Sequence, residues 1–194
     1  MLRHGYVPAP YSIYQDVYKL KPGHLVQLNS DGTITDSYQW WNFNEGLINT
    51  TLDQSSFCSE ESAIHSLEEV LELAIKEQMI ADVPLGALLS GGLDSSLVVA
   101  LMQKVSSKPI KTFTIGFDMS SASGLERTFD ERAKAEYMSY KFKTEHYEMV
   151  LKAGDMERVL PKLAWHLEEP RVGQSYPNYY VAQLAGKFVK VVLS

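Results

Sequence analysis

The residues Ser90-Gly91-Gly92-Leu93-Asp94-Ser95-Ser96 are the stretch whose types and spacing could do chemistry. An apolar run, Ala87 to Leu89, ends abruptly in Ser-Gly-Gly. A helical apolar pattern then begins at Leu97, Val98, Leu101, Met102 and Val105. A buried strand, a glycine turn and a helix N-terminus are therefore predicted in close succession. Such a turn aims several backbone N–H groups into one concavity, and the helix dipole adds partial positive charge there. Phosphate is the ligand that suits it. The loop lacks the lysine of a Walker-type loop, which serves transfer of a γ-phosphoryl group. A short serine-rich loop without lysine suits capture of pyrophosphate, which leaves intact when ATP is cut between its α and β phosphorus atoms. Asp94, at the loop edge, can hold Mg²⁺, a hard cation that takes oxygen ligands beside phosphates. The plainer alternative is a glycine turn that only reverses the chain. Five fixed residue types at roughly 7% usage each recur by chance in about one of a few thousand chains of this length, which favours the phosphate reading.

The surrounding elements must place this loop. Ser59 can cap a helix carrying Glu60 and Glu61 in its first turn, and Ile64, Leu67, Leu71, Ala74, Ile75 and Met79 keep helical spacing after it. The residues 110–117 read as a strand, 128–143 as a helix with Ala133, Ala135, Tyr137 and Met138 on its buried side, and 144–150 as a strand. A helix follows over 154–167, with Met156, Val159, Leu160, Leu163 and Trp165 on its apolar side; Pro161 offers a second possible start for it. Tyr176-Pro177 opens a helix to about Ala185, and Phe188 to Leu193 is a fourth strand. The alternation predicts an α/β fold, an open parallel sheet with helices on both faces. Ligands bind such sheets outside the carboxyl ends of the strands. The loops after Leu89, after Gly116 and after Ser194 would share that rim.

The residues 1–43 read differently, as β and turn. His24–Leu28 and Thr33–Thr35 flank the turn Asn29-Ser30-Asp31-Gly32 and predict a hairpin. A hairpin alone is marginal, so the segment reads as the remnant of a larger β-rich domain. Tyr38, Trp40, Trp41 and Phe43 are expected to close it by packing. A polar linker is expected over 44–58, followed by the α/β domain over 59–194. The chain breaks off after a β-branched run, at Ser194, and reads as a fragment.

Composition sets outer bounds. The chain has 194 residues, 45% of them hydrophobic, a formal net charge of −6 and one cysteine, Cys58. The acidic balance disfavours a large nucleic-acid footprint. No apolar run is long enough to span a membrane, and residues 1–15 lack the apolar core of a signal peptide. A cytoplasmic location is expected. Among other candidates, Glu168-Glu169-Pro170 could line a substrate cleft, but a solvated helix end is the preferred reading. Asp130-Glu131 is read as a helix cap. His4, His24, His65, His146 and His166 show no metal-ligand spacing, and the tyrosines between Tyr176 and Tyr180 are read as packing.

The loop resembles the PP-loop, SGGxDS, of the ATP pyrophosphatases. The longer run Val83-Pro84-Leu85-Gly86-Ala87-Leu88-Leu89-Ser90-Gly91-Gly92-Leu93-Asp94-Ser95-Ser96 resembles one branch, the glutamine-hydrolysing asparagine synthetases. Gly5 to Tyr14 and Lys19 to His24 are similar to the end of that family's Ntn-type glutaminase domain, and Val191 to Ser194 to the strand before its second glycine loop. The resemblance implies ATP and Mg²⁺ as cofactors, with aspartate and glutamine or ammonia as substrates. It implies adenylation of the aspartate side chain with release of pyrophosphate, then amidation, and a homodimer at full length. It places Leu89, Ile115 and Ser194 around the adenosine, and Ser90, Gly91, Gly92, Asp94, Ser95 and Ser96 in the pyrophosphate loop, with Asp94 on the metal. No catalytic residue is assigned.

Two departures stand out. The family's glutaminase nucleophile is a cysteine at the mature N-terminus, whereas Leu2 follows Met1 here and Cys58 sits in the linker, where it reads as a plain thiol. The family's second acidic glycine loop would lie past Ser194. Little or no activity is expected of this chain alone. Three alternatives stay open: a relative acting on a sugar acid or a β-lactam precursor, a PP-loop enzyme that thiolates tRNA or makes NAD, and a nucleotide-binding scaffold without catalysis.

Overall fold

The computed structural model describes residues 3–45, 59–120, 130–171, 173 and 175–194. It divides into two units, residues 1–63 with 167–173, and residues 64–166 with 174–194.

In the first unit β1 (His24–Leu25) pairs antiparallel with β2 (Tyr38–Gln39). Between them the chain reverses at Asn29–Gly32, where the Gly32 N–H donates to the Asn29 carbonyl at 3.0 Å and Leu28 bridges to Ile34. The Asp31 carboxylate accepts the Thr33 hydroxyl at 2.7 Å and the Thr33 N–H at 2.9 Å, and these bonds hold its carboxyl below the ordinary range. The expected hairpin is present: the Asn29 N–H donates to the Thr33 carbonyl and the Thr35 N–H to the Gln27 carbonyl, each at 2.9 Å, and Tyr38–Gln39 extends the pairing to His24–Leu25. Lys19 Nζ donates to the Val7 carbonyl at 2.8 Å and to the Glu169 carboxylate. No described residue of this unit is buried. Tyr38, Trp40, Trp41 and Phe43 were expected to pack, yet each is more than half exposed. Most of the expected linker, residues 46–58 with Cys58, lies outside the described residues.

The second unit is built on a sheet. Its elements run α1 (Glu60–Gln78), β3 (Leu85–Leu88), α2 (Leu93–Val105), β4 (Lys111–Phe117), α3 (Arg132–Phe142), β5 (Glu145–Leu151), α4 (Asp155–Leu167), α5 (Ser175–Ala185) and β6 (Val191–Leu193). The Ser59 hydroxyl accepts the Ser62 N–H at 3.2 Å and so caps α1. The four strands are parallel, in the order β5-β4-β3-β6. The chain adds strands on one side of β3, as β4 and then β5, and returns to its other side with β6. The order therefore reverses between β3 and β6, and a crevice is expected outside their carboxyl ends.

Strand side chains alternate between the two faces. On one face Ala87, Leu89 and Leu193 pack with Ile75 of α1, Val99 and Met102 of α2 and Ala135 of α3. On the other, Leu88, Phe113, Ile115 and Val192 pack with Val181 and Leu184 of α5. Helices thus cover both faces, as expected of an α/β sheet with near-continuous apolar strands. α4 sits on α5: the Tyr180 hydroxyl donates to the Asp155 carbonyl at 3.0 Å.

Several local expectations need correction. Ala133 and Tyr137 of α3 face solvent, and Ala135 and Ser139 are the residues buried. The Ser139 hydroxyl accepts from Thr144, whose oxygen also meets the Thr112 hydroxyl at 2.9 Å, and this polar contact draws Ser139 inward. In α4 only Val159 and Leu163 are buried, while Met156, Leu160 and Trp165 are exposed. Pro161 lies inside α4, not at its start. β6 begins at Val191, because Phe188 and Val189 donate their N–H groups back to the Ala185 carbonyl and form the turn that ends α5.

Candidate functional site

The residues after β3 are pinned from several sides. The Leu89 N–H donates to the Phe113 carbonyl at 3.0 Å, and the Leu89 carbonyl accepts the Thr114 hydroxyl. The Ser90 and Ser95 hydroxyls meet at 2.8 Å. The Ser90 N–H donates to Ser95 Oγ and the Gly92 N–H to Ser90 Oγ, both at 3.2 Å. Gly91 has φ +76°, a left-handed conformation that glycine adopts at no steric cost. A Cβ there would stand 2.5 Å from Lys134 Cβ and 2.6 Å from the Lys134 backbone carbon. The loop therefore rests directly on the first turn of α3. Gly92 is the N-cap of α2 and supplies no side-chain acceptor, so no cap occupies the N–H groups of the first helical turn.

Beside this loop lies a cavity of about 250 Å³. Leu88, Leu89, Phe113, Ile115 and Phe117 give it an apolar wall from β3 and β4. Pro177, Asn178 and Val181 come from the start of α5. Ser90 and Ser194 come from the ends of β3 and β6, Ser95 from the first turn of α2, and Thr114 and Glu131 complete the lining. The cavity sits where the strand order reverses.

Glu131 is placed by its neighbours. Arg132 donates through Nε and Nη2 to the two Asp130 carboxylate oxygens, each at 2.8 Å, and through Nη2 to the Phe117 carbonyl at 2.9 Å. The Arg132 stem crosses Gly116, where a Cβ would come within 2.2 Å of it. The guanidinium holds the Asp130 carboxyl below its ordinary range, and Asp130 pushes the guanidinium up. Asp130 is thus engaged with Arg132, and the N-cap Glu131 makes no side-chain cap to α3. The cap expected of this pair is corrected for Glu131 alone: the Asp130 carboxylate also accepts the Arg132 N–H of the first turn, at 3.5 Å.

Of the residues expected around a nucleotide, Leu89, Ser90, Ser95, Ile115 and Ser194 are brought together on the cavity wall. Gly91 and Gly92 shape the loop without lining the cavity. Asp94 is exposed on the first turn of α2, and among the described residues its carboxylate has no hydrogen-bond or ion-pair partner. Ser96 points inward: its hydroxyl is buried without a hydrogen-bond partner. Glu169 binds Lys19. His24 Nδ1 lies 2.9 Å from the Pro22 carbonyl, and His65 pairs with Glu69. No group of three His, Cys, Asp or Glu side chains among the described residues is arranged to hold a metal ion. No described helix is long and apolar enough to cross a membrane.

Sequence reading missed Glu131, Asn178 and the apolar contribution of Pro177 and Val181. The signal for Glu131 was its place fourteen positions past the end of the glycine-bearing strand β4, in a charged triplet whose outer members neutralise each other. Asn178 carried no signal apart from the aromatic residues around it.

Residues 66–194 match the asparagine synthase family model. The chain belongs to the asparagine synthase family. A protein of Methanocaldococcus jannaschii, provisionally named a glutamine-hydrolysing asparagine synthetase, is 34% identical over 98% of this chain and 34% of its own length. Asparagine synthetase [glutamine-hydrolyzing] 1 of Bacillus subtilis is 29% identical over 97% of this chain and 27% of its own. The chain thus spans about a third or less of the length of these relatives. Among solved structures, an NH3-dependent NAD synthetase from Campylobacter jejuni superposes with a TM-score of 0.41 at 14% identity, over 66% of this chain and 54% of that one.

Proposed function

We propose that the cavity is the ATP subsite of a glutamine-dependent asparagine synthetase. In this reading the side-chain carboxylate of aspartate attacks the α-phosphorus of ATP. The bond to the bridging oxygen breaks, and pyrophosphate leaves with its electron pair. Ammonia from glutamine then attacks the acyl carbon, AMP leaves, and a proton is released. A carboxylate is a poor electrophile, and adenylation turns its oxygen into a leaving group.

This chain's own residues have clear tasks in that scheme. The apolar wall of Leu88, Leu89 and Ile115 takes the base, and Ser194 faces it from β6. Ser90, Ser95 and the amides of the first turn of α2 take the developing charge on pyrophosphate. The buried Ser96 hydroxyl stays out of that role. Mg²⁺ supplies neutralisation of the leaving pyrophosphate, and Asp94 fits it as a ligand, because its carboxylate is exposed and unengaged. One or two carboxylates plus substrate phosphates suffice for this cation, which keeps several waters. A cytoplasmic site of action and a homodimer at full length belong to the same reading.

The observation that carries the proposal is the convergence of Leu89, Ser90, Ser95, Ile115 and Ser194 on one cavity at the reversal of strand order. The experiment is ATP–pyrophosphate exchange by the full-length protein with aspartate. Exchange dependent on aspartate is expected. Exchange with a different carboxylic acid would move the enzyme to another acceptor, and ATP binding without any exchange would make it a scaffold. Asp94→Ala is expected to lower exchange at least about a hundredfold, the scale for losing a stabiliser of transition-state charge, with the unfolding midpoint unchanged. Full exchange by Asp94→Ala removes Asp94 from the metal.

A further inference from the structure

Among the described residues, Glu131 is the one ionisable side chain on the cavity wall. Asp130 and Arg132, on either side of it, are locked to each other and to the Phe117 carbonyl, and the arginine stem fills the space over Gly116. These contacts fix the backbone of Glu131 at the end of β4. Among the described residues its carboxylate has no hydrogen-bond or ion-pair partner, and it shares the cavity wall with Phe117 and Ile115. A carboxylate on a largely apolar wall needs donors from whatever enters.

The position narrows the donor. Without a bridging cation, phosphate is no partner for it, because like charges repel. The Glu131 carbonyl accepts the Ala135 N–H at 3.0 Å, so Glu131 opens the turn of α3 on which Gly91 rests. Glu131 thus lines the same cavity as the loop, one helical turn along α3 from the loop's contact. With phosphate on the loop and the base on Leu89 and Ile115, the group left for Glu131 is the one that joins phosphate to base. In a nucleotide that group is a sugar. Its two neighbouring hydroxyls are neutral donors spaced to meet the two oxygens of one carboxylate.

We propose that Glu131 binds the ribose diol and makes this site selective for ribonucleotides over deoxyribonucleotides. The proposal rests on the nucleotide reading above and sharpens it. Asp130, Arg132 and Gly116 act as positioning residues for Glu131.

The test uses the full-length protein and calorimetric binding of AMP, 2′-deoxy-AMP and 2′,3′-dideoxy-AMP, all in EDTA so that no divalent cation takes part. Loss of hydrogen bonds to a charged group costs about ten- to a hundredfold in affinity, and that preference for AMP over the dideoxy analogue is expected. Glu131→Ala should reduce the preference to about threefold or less. Glu131→Gln, which keeps size and one acceptor, should give an intermediate preference. Both variants should keep the wild-type unfolding midpoint and the wild-type preference for AMP over GMP, readouts that a collapsed loop would move. Equal binding of AMP and its dideoxy analogue by the wild-type protein overturns the proposal, as does unchanged discrimination in Glu131→Ala. An effect of Glu131→Ala on Mg²⁺–ATP alone, with AMP binding in EDTA untouched, overturns it in favour of a cation ligand. Failure of the wild-type protein to bind any adenine nucleotide overturns the nucleotide reading and the role of Glu131 with it.

Discussion

The two units of this chain spend their apolar residues in opposite ways. In the first, Tyr11, Tyr18, Leu28, Ile34 and Trp40 are exposed, and no described residue is buried. In the second, Phe113, Leu89, Met102 and Val99 are enclosed almost completely, on both faces of one sheet. What separates them is that the second unit has strands paired on both sides and helices over each face, so apolar side chains have partners. Two short strands and a turn offer none. The candidate site follows the same division: every residue lining the cavity belongs to the unit with the core.

Phe113→Ala tests that division most severely. The ring is 1% exposed and stacks on Tyr147 at 5.7 Å, so its removal is expected to cost about 3–5 kcal/mol in denaturant unfolding. A loss below about 1 kcal/mol would mean that the core relaxes far more than close packing allows. Gly91→Ala comes next. The left-handed conformation and the overlap with Lys134 together should cost about 2–4 kcal/mol, and nucleotide binding should fall with it. Wild-type stability in Gly91→Ala would show that the loop can leave α3 freely.

A smaller effect is expected from acid. Burial pushes the His146 imidazole below its ordinary value of about 6.5, against a weaker opposite pull from Glu148 and Glu136. Its Nδ1 meets the Thr112 hydroxyl at 2.9 Å, while its buried Nε2 makes no hydrogen bond. The unfolded chain therefore binds this proton at a higher pH than the fold does. The contribution is complete above about pH 6.5 and is lost as pH falls through the depressed folded value. Unfolding free energy should decline with falling pH in that window, and His146→Asn should flatten the decline. An unaltered slope in the variant assigns the decline to other groups. At the small end, Trp40→Ala should change unfolding by no more than about 0.5 kcal/mol, as for an exposed side chain. A cost near that of Phe113→Ala would dissolve the contrast between the units.

The second unit was far more legible in the sequence than the first, for the same physical reason. Parallel strands buried on both faces leave continuous apolar runs such as Ala87–Leu89 and Phe113–Phe117, and glycine turns punctuate them. The loop from Ser90 to Ser96 could be placed on the rim from pattern alone. Its individual side chains could not, because periodicity does not say which hydroxyl of two adjacent serines turns inward; Ser95 meets Ser90 and Ser96 is buried. The face of α3 was misread because a hydrogen-bonded Ser139 replaces an apolar residue at the contact. Glu131 was read as a cap because acidic residues before a helix usually are. Only the clamp between Asp130 and Arg132 shows where it is held.

The placement of β6 also sets an order of events on the ribosome. Ala87 pairs with Leu193, and every other strand and most helices of the sheet unit lie between them in the chain. Synthesis delivers the loop, Ile115 and Glu131 early, and Pro177, Asn178, Val181 and Ser194 late. Until Ser194 clears the exit tunnel, β3 is an uncovered sheet edge, open to wrong partners. The nascent chain meanwhile holds only one wall of the cavity. A ligand that needs both walls therefore has no complete site until β6 has paired with β3. Its stabilising effect starts with that pairing, through binding to the folded form.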